Sequence, residues 1–277
     1  MNICFIGGGN MATALIGGLL KSGNQSRDIQ AKPEDLRVVE INVENRARLQ
    51  HEFGVLATAD MAEGVAGSEV IVLAVKPQQL YEVAAQLAPL LTGQLILSIA
   101  AGIRAADLAR WLGTQNVVRA MPNTPALVQS GISGWFALAG VNPMHFGTAD
   151  AILKAVGEAV RVPTEEMLDA VTAISGSGPA YVFYFIEAMQ QAACELGFND
   201  EAARKLSIHT FLGATKLAQN STDDVSVLRA RVTSKNGTTE RALLSLEANN
   251  VKQQIITAAR AAAARSKEMG DELGGAN

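Results

Sequence analysis

Met1-Asn-Ile-Cys-Phe-Ile-Gly-Gly-Gly-Asn-Met-Ala12 decides how the rest of the chain is read. Ile3, Cys4, Phe5 and Ile6 form an apolar run the length of a buried strand. It stops at Gly7, Gly8 and Gly9, and Met11 to Leu20 then has the small, apolar composition of a helix. Gly7-x-Gly9-x-x-Ala12 fits the dinucleotide fingerprint, with alanine in the third glycine position. Gly7 permits the tight turn, Gly9 lets the backbone reach a pyrophosphate, and Ala12 lets helix and strand pack closely. The helix start then offers unpaired N–H groups and a positive dipole end to phosphate. A glycine turn alone can be merely structural. A strand, a glycine turn and a helix in immediate succession favour the dinucleotide.

Outward from this turn, apolar runs alternate with helical segments as far as about Pro163, the pattern of repeated βα units. Leu36–Ile41, Val55–Thr58, Val70–Val75, Leu95–Ala100, Asn116–Met121, Gly131–Ala139 and Ala159–Val162 read as further strands. Helices are expected over Val43–Phe53, Gln78–Leu91, Arg104–Leu112 and about Met144–Gly157. Val70 to Val75 is apolar without a break, as suits a strand covered on both faces.

After Pro163 strands give way to helical spacing over Glu165–Ile174, Pro179–Leu196, Glu201–Asn220 and Ala242–Lys267. The fold class is therefore α/β: a doubly wound sheet domain over residues 1–163 and an all-α domain over residues 164–277. Ala180-Tyr-Val-Phe-Tyr-Phe-Ile186 is apolar nearly all round, which predicts burial against a second copy and hence a homodimer. The tail beyond Met269, with Gly270, Gly274 and Gly275, is expected to fray.

Composition narrows the partners. The 277 residues are 48% hydrophobic and only 5% aromatic, which suits a helix-rich α/β enzyme better than a sandwich. A formal charge of −4 argues against nucleic acid or an anionic membrane as the main partner. Cys4 and Cys194 lie far apart in apolar surroundings and read as small core residues in a reducing compartment. His51, His145 and His209 are scattered, so no metal site is expected. The chain enters a strand with no charged leader, and no apolar run reaches membrane-spanning length. A soluble, cytoplasmic protein is the expectation.

In an open parallel sheet, ligands bind beyond the carboxyl ends of the strands. Ala74-Val75, Ala100-Ala101-Gly102 and Ala120 are small there, leaving room for a nucleotide instead of supplying reactive groups. Lys76 fits either a phosphate contact or a solvated helix start, with Pro77 at the first helical position. Asn123 lies between Pro122 and Pro125 in a loop that either faces the nicotinamide or simply turns. Glu40 follows Gly7 by 33 residues (40 − 7), an excess explained by an inserted loop near Gly23 to Pro33. An acid there accepts from a ribose 2′-hydroxyl and repels a 2′-phosphate, favouring NAD, although Arg37, Arg46 and Arg48 are close in sequence.

Two stretches of the helical half stand apart. Ser175-Gly-Ser-Gly-Pro-Ala180 is either a helix break or the lining of a small polar pocket. Val232-Thr-Ser-Lys-Asn-Gly-Thr-Thr-Glu240 turns into a helix whose first N–H groups form a cradle of carboxylate size. On spacing alone, Thr238 or Thr239 reads first as a helix cap.

Six motifs in order then give the chain a clear resemblance. They are Ile6–Met11, Ala74-Val-Lys-Pro-Gln78, Ser98-Ile-Ala-Ala-Gly102, Arg119-Ala-Met-Pro-Asn-Thr-Pro125, Ser175-Gly-Ser-Gly-Pro-Ala-Tyr181 and Val232-Thr-Ser-Lys-Asn-Gly-Thr-Thr239. Together they resemble the pyrroline-5-carboxylate reductases over essentially the whole chain. The resemblance implies a Rossmann-type domain followed by a helical dimerisation domain, with dimers often assembling into decamers. It implies reduction of 1-pyrroline-5-carboxylate to L-proline by NADPH or NADH, without a metal. It places the cofactor against Ile6, Gly7, Gly8, Gly9, Asn10, Met11, Ala74, Val75, Lys76 and the backbone of Ala101, to which the strand-end reading adds Glu40, Pro77 and Asn123. The substrate carboxylate would be held by Ser234, Gly237, Thr238 and Thr239, with Ser175 a further candidate from the pocket reading. Thr239 matches the threonine whose hydroxyl lies near the ring nitrogen, which replaces the capping reading.

The chain departs from the family in two places. Lys235-Asn236-Gly237 stands where Pro-Gly-Gly is usual, and asparagine tolerates the positive φ such a turn needs. Glu40 stands where relatives preferring NADPH carry small or neutral residues, which leaves the choice of dinucleotide open.

A protonated imine is already a good electrophile, so a site without an obvious general acid suffices. Thr239 is assigned to orienting the nitrogen, since a hydroxyl is too weak an acid to act alone. His209, mid-helix among Leu206, Ile208, Phe211 and Leu212, reads as a core or interface residue. A 3-hydroxyacid-type reductase would want a lysine on the long helix after the domain boundary, and Ala180 to Leu196 has none. A non-catalytic dinucleotide-binding regulator would have no use for the cradle at Ser234 to Thr239.

Overall fold

The computed structural model describes residues 1–21 and 31–274, so most of the inserted loop expected near Gly23 to Pro33 lies outside the described residues, as does Gly275. The chain forms two compact units, residues 1–177 with the segment from Ala262 onward, and Gly178–Ala261.

The first unit is built on an eight-stranded sheet in the order β3-β2-β1-β4-β5-β6-β7-β8. Its strands are β1 Ile3–Ile6, β2 Leu36–Val39, β3 Leu56–Thr58, β4 Val70–Leu73, β5 Leu95–Ser98, β6 Val117–Met121, β7 Gly131–Ala137 and β8 Gly157–Arg161. The helices around it are α1 Asn10–Leu20, α2 Val43–Phe53, α3 Met61–Val65, α4 Leu80–Leu87, α5 Ala105–Leu112, α6 Met144–Lys154 and α7 Met167–Val171. β1 pairs in parallel with both β2 and β4, which puts the turn after it at the centre of the sheet's carboxyl edge. The strand order reverses there, making it the switch point where such sheets bind ligands.

Side chains alternate between two cores because successive strand residues point to opposite faces. Ile3, Phe5, Val70 and Val72 pack with Leu15 and Ile16 of α1 and Ile152 of α6. Cys4, Ile6, Ile71 and Leu73 pack with Leu80 and Leu87 of α4 and Leu108 of α5. Phe5, Ile71 and Leu15 are fully buried, each contributing on the order of 2 kcal/mol of apolar burial.

Three features depart from the expected pattern. β7 runs antiparallel to β6, because residues 122–130 hold only a 3₁₀ turn and are too short for a crossover. The sheet ends at Arg161, close to the expected boundary at 163, but the unit continues to Ser177. The reason is packing across the boundary: Arg119 Nη1 pairs with Glu165 Oε1 at 2.8 Å, and the Cβ of Val171 crowds the face of Gly134 on β7. The tail does not fray over residues 269–274. It is the end of α12, Val251–Gly274, and Ser266 Oγ donates to Asp169 Oδ1 at 2.7 Å. Asp271 pairs with Arg104, while Leu273 and Met269 cover Gly102.

The second unit is helical, with α8 Gly178–Glu195, α9 Asp200–Gln219, α10 Val225–Arg231, α11 Thr238–Ala248 and the first half of α12. The helical spacing read through Ala242–Lys267 is interrupted at Asn249 and Asn250, the latter at φ +55°. α8 packs against α9, yet Phe183 and Tyr184 remain 66% and 71% exposed. Cys194 is exposed and not in the core, with Sγ 3.5 Å from Asp200 Oδ1. His209 lies on an exposed stretch of α9 beside Phe198 and Leu206, so within this chain it is not a core residue.

Candidate active site

The glycine turn takes the shape its composition demands. Gly7 has φ +101°, and a Cβ there would sit 2.9 Å from the carbonyl oxygen of Ala74. Its N–H donates to the Val39 carbonyl at 2.8 Å, which closes the turn against β2. Gly9 is the N-cap of α1, and a Cβ on it would meet nothing within 4 Å. The backbone at Gly9 therefore faces open space, with no side-chain cap on the helix behind it. There is room above Gly9, and the first N–H groups of α1 at Asn10 and Met11 have no side-chain cap, a geometry that can accept an anion.

A cleft of about 400 Å³ opens over this turn. It brings together Ile6, Gly7, Gly8, Gly9, Glu40, Ala74, Val75 and Lys76 from the ends of three adjacent strands. Lys76 is exposed at the cleft and also begins the 3₁₀ turn Pro77–Gln79, so it is a solvated residue at a helix start that faces the cleft. Asn10, Met11, Pro77, Ala101 and Asn123 do not line this cleft. Met61 and the run Gln79, Glu82, Val83 and Gln86 do, and the sequence reading missed them. Their signal was available: Met61 follows the carboxyl end of β3, and positions 79, 82, 83 and 86 share one helical face.

Glu40 is bound to the glycine turn itself. Gly8 N donates to Glu40 Oε2 at 3.0 Å and Asn42 N to Oε1 at 2.8 Å. A Cβ on Gly8 would press on that carboxylate and on Leu49, so the second glycine is needed for packing.

Asn123 and Ser175 meet within the first unit. Asn123 Nδ2 donates to the Ser175 carbonyl at 3.1 Å, and its Oδ1 accepts from Ile132 N at 2.9 Å. The side chain is buried and bonded at both ends, so it holds the loop in place. Ser175 lies in a π-helical turn, Thr172–Gly176, and its Oγ donates to the Val171 carbonyl at 2.9 Å. Single π turns of this kind are frequent at functional sites.

In the second unit, residues 234–237 form the turn into α11. Asn236 takes φ +59°, and its N–H donates to Glu240 Oε2 at 2.7 Å. Gly237 N donates to the Ser234 carbonyl at 3.0 Å, and a Cβ on Gly237 would run into Ser234 Oγ. Gly237 is the N-cap, with no side-chain cap bond, and Thr238 and Thr239 are the first two helical residues. The threonines therefore do not cap. By contrast α2, α3, α9 and α10 begin at Asn42, Asp60, Asn199 and Asp224, each accepting a bond from the first turn. α1 and α11 begin at glycine, with no side chain in that acceptor position.

Burial pushes the Cys4 thiol up to about 12, which makes it inert under the cleft. Among the described residues no cluster of His, Cys, Asp and Glu could hold a metal ion, and no helix is long and apolar enough to cross a membrane.

Comparison with known proteins accounts for both halves. A family model of pyrroline-5-carboxylate reductase dimerisation matches residues 165–269. A model of NADP oxidoreductases, coenzyme F420-dependent, matches residues 2–102. The chain is 45% identical over 274 residues to pyrroline-5-carboxylate reductase of Pseudomonas aeruginosa, covering 98% of each. The structure of a pyrroline-5-carboxylate reductase from Coxiella burnetii matches with a TM-score of 0.90 and 38% identity, over 97% of this chain and 98% of that one. That of the Plasmodium falciparum enzyme with NADP bound matches with a TM-score of 0.84 and 30% identity, over 98% of each chain. With identity of this order running from end to end, the chain belongs to the pyrroline-5-carboxylate reductase family.

Proposed function

We propose that this chain carries out the family's reaction, NAD(P)H-dependent reduction of 1-pyrroline-5-carboxylate to L-proline in proline biosynthesis, with the residues described above in defined roles. When bound, the reduced nicotinamide supplies the hydride that adds to the carbon of the C=N bond. Gly7, Gly8, Gly9 and the first N–H groups of α1 hold the pyrophosphate, and Ala74, Val75 and Lys76 line the path of the dinucleotide. The Ala101 backbone belongs to the same strand-end set.

The observation that carries the substrate assignment is the start of α11, where glycine replaces a capping side chain. Ser234, Gly237, Thr238 and Thr239 there hold the substrate carboxylate through backbone N–H groups and hydroxyls. Asn236 at positive φ keeps this turn in the shape that glycine provides elsewhere in the family. Thr239 Oγ1 orients the ring nitrogen, and most of the rate comes from positioning an electrophile that is already activated. Ser175 acts through its backbone, fixed by Asn123.

The exposed apolar side chains of α8 support a homodimer, and a cytoplasmic location and a decamer are further parts of this proposal. The direct test is to mix purified protein with 1-pyrroline-5-carboxylate and either NADH or NADPH, following loss of nicotinamide absorbance and formation of proline. Tight dinucleotide binding without proline formation would favour a regulator over an enzyme.

A further inference from the structure

We infer that Glu40 selects the dinucleotide at its 2′ position, accepting a free ribose hydroxyl and turning away a 2′-phosphate, so that this chain prefers NADH to NADPH. The inference rests on reading the cleft as the dinucleotide site and adds the feature that chooses between the two cofactors.

Glu40 directly follows β2, at the carboxyl end where an acid in such sheets meets the adenosine ribose. Its carboxylate is fixed. Gly8 N holds one oxygen at 3.0 Å, Asn42 N holds the other at 2.8 Å, and the residue's own N–H donates to Thr58 O at 2.9 Å. Swinging this side chain aside to admit a second anion would break both of its bonds to backbone N–H groups. Each oxygen still has a lone pair for a hydroxyl donor.

Three arginines lie nearby, each donating to other groups, and none of them pairs with the Glu40 carboxylate. Arg37 Nη1 donates to the Glu63 carbonyl at 3.3 Å and to that of Ala66. Arg46 Nη1 donates to the carbonyls of Glu40 at 2.7 Å and Ile41 at 2.9 Å. Arg48 Nη1 pairs with Glu52 at 3.1 Å, and its Nη2 donates to Thr13 Oγ1 at 3.2 Å and to the Gly8 carbonyl at 3.5 Å. Among the described residues lining the cleft, Lys76 is the cation, and Glu40 and Glu82 are the acids. A 2′-phosphate would bring about −1.5 to −2 further charge into that balance.

The test measures dissociation constants of NADH and NADPH without substrate, by quenching of protein fluorescence, for the native chain and for Glu40→Gln. The amide oxygen of Glu40→Gln still accepts from Gly8 N, but the charge is gone. The native chain should bind NADH at least tenfold more tightly than NADPH, and Glu40→Gln should narrow that ratio at least fivefold. Ile41→Arg serves as a second variant, since Ile41 lines the cleft and is exposed, and it leaves the Glu40 bonds in place. It too should shift the ratio toward NADPH. NADPH binding the native chain as tightly as NADH, or a ratio unmoved in both variants, would overturn the inference. Failure of all three proteins to bind either dinucleotide would instead remove the cleft assignment, and the inference with it.

Discussion

Arg119 and Glu165 form a buried ion pair, Nη1 to Oε1 at 2.8 Å, in which Arg119 is 6% exposed and the same carboxylate oxygen accepts from Ala105 N at 2.7 Å. One carboxylate thus ties β6, the start of α5 and the approach to α7 together. Arg119→Met should cost about 3 kcal/mol, because it leaves the largely shielded Glu165 carboxylate without its partner. Glu165→Gln should cost less, since its amide oxygen still accepts from Ala105 N. Urea unfolding of the two variants checks the order, and equal stability would show that the pair is not what holds this corner.

Asn123 joins the Ser175 carbonyl to Ile132 N through one buried side chain. Asn123→Ala strands one acceptor and one donor, each costing about 1–3 kcal/mol. Thermal unfolding should register the loss, and kcat should fall with it because the π turn loses its tether. A variant that is destabilised but turns over normally would confine Asn123 to a packing role.

Thr239→Ala should raise KM for 1-pyrroline-5-carboxylate and lower kcat, together on the order of tenfold in kcat/KM, the effect of one hydrogen bond. Dinucleotide binding should be untouched. Gly237→Ala should raise the same KM, since its methyl displaces Ser234 Oγ from the cradle. Steady-state kinetics read both, and unchanged turnover in Thr239→Ala would sink the orienting role.

Cys4 gives the stability curve an alkaline limb. Its thiol is raised by burial from 9.0 to about 12, so the folded state holds the proton that the unfolded chain releases first. The stabilisation is fully present below pH 9 and is lost as pH rises toward 12. Cys4→Ala should fall less steeply than the native chain over that interval, measured as urea midpoints. Identical slopes would show that other groups set the limb.

The sheet was legible because its strands are apolar runs with glycine stops, and Gly7 to Ala12 can hardly be read another way. Short helices were not. α3 spans Met61–Val65, too few residues for a period, and only Asp60 accepting from Glu63 N marks its start. α10 follows Asp224 in the same manner. The reversal of β7 was written in the length of residues 122–130, a cue that strand composition hides. In the site, the shape of the first turn was legible because Gly7 must take positive φ there. The bonds of Asn123 were not, because its partners, Ser175 and Ile132, are set by tertiary packing. The tail at 269–274 looked loose because its glycines suggest freedom. In the folded chain the small residues Ser266, Gly270 and Gly274 are buried, and α12 lies against Arg104 and Asp107 through them.

That docking has a bearing on the order of events during synthesis. The first unit is completed by the segment from Ala262 onward, which is made only after the whole of the second unit. Its sheet can assemble while the rest is being translated, as N-terminal domains generally do. The loop at Gly102 and the flank of α5 then stay uncovered until that segment is made. A chain stalled before Ala262 would carry the full glycine turn and a complete sheet, yet leave Gly102 and Arg104 without their cover.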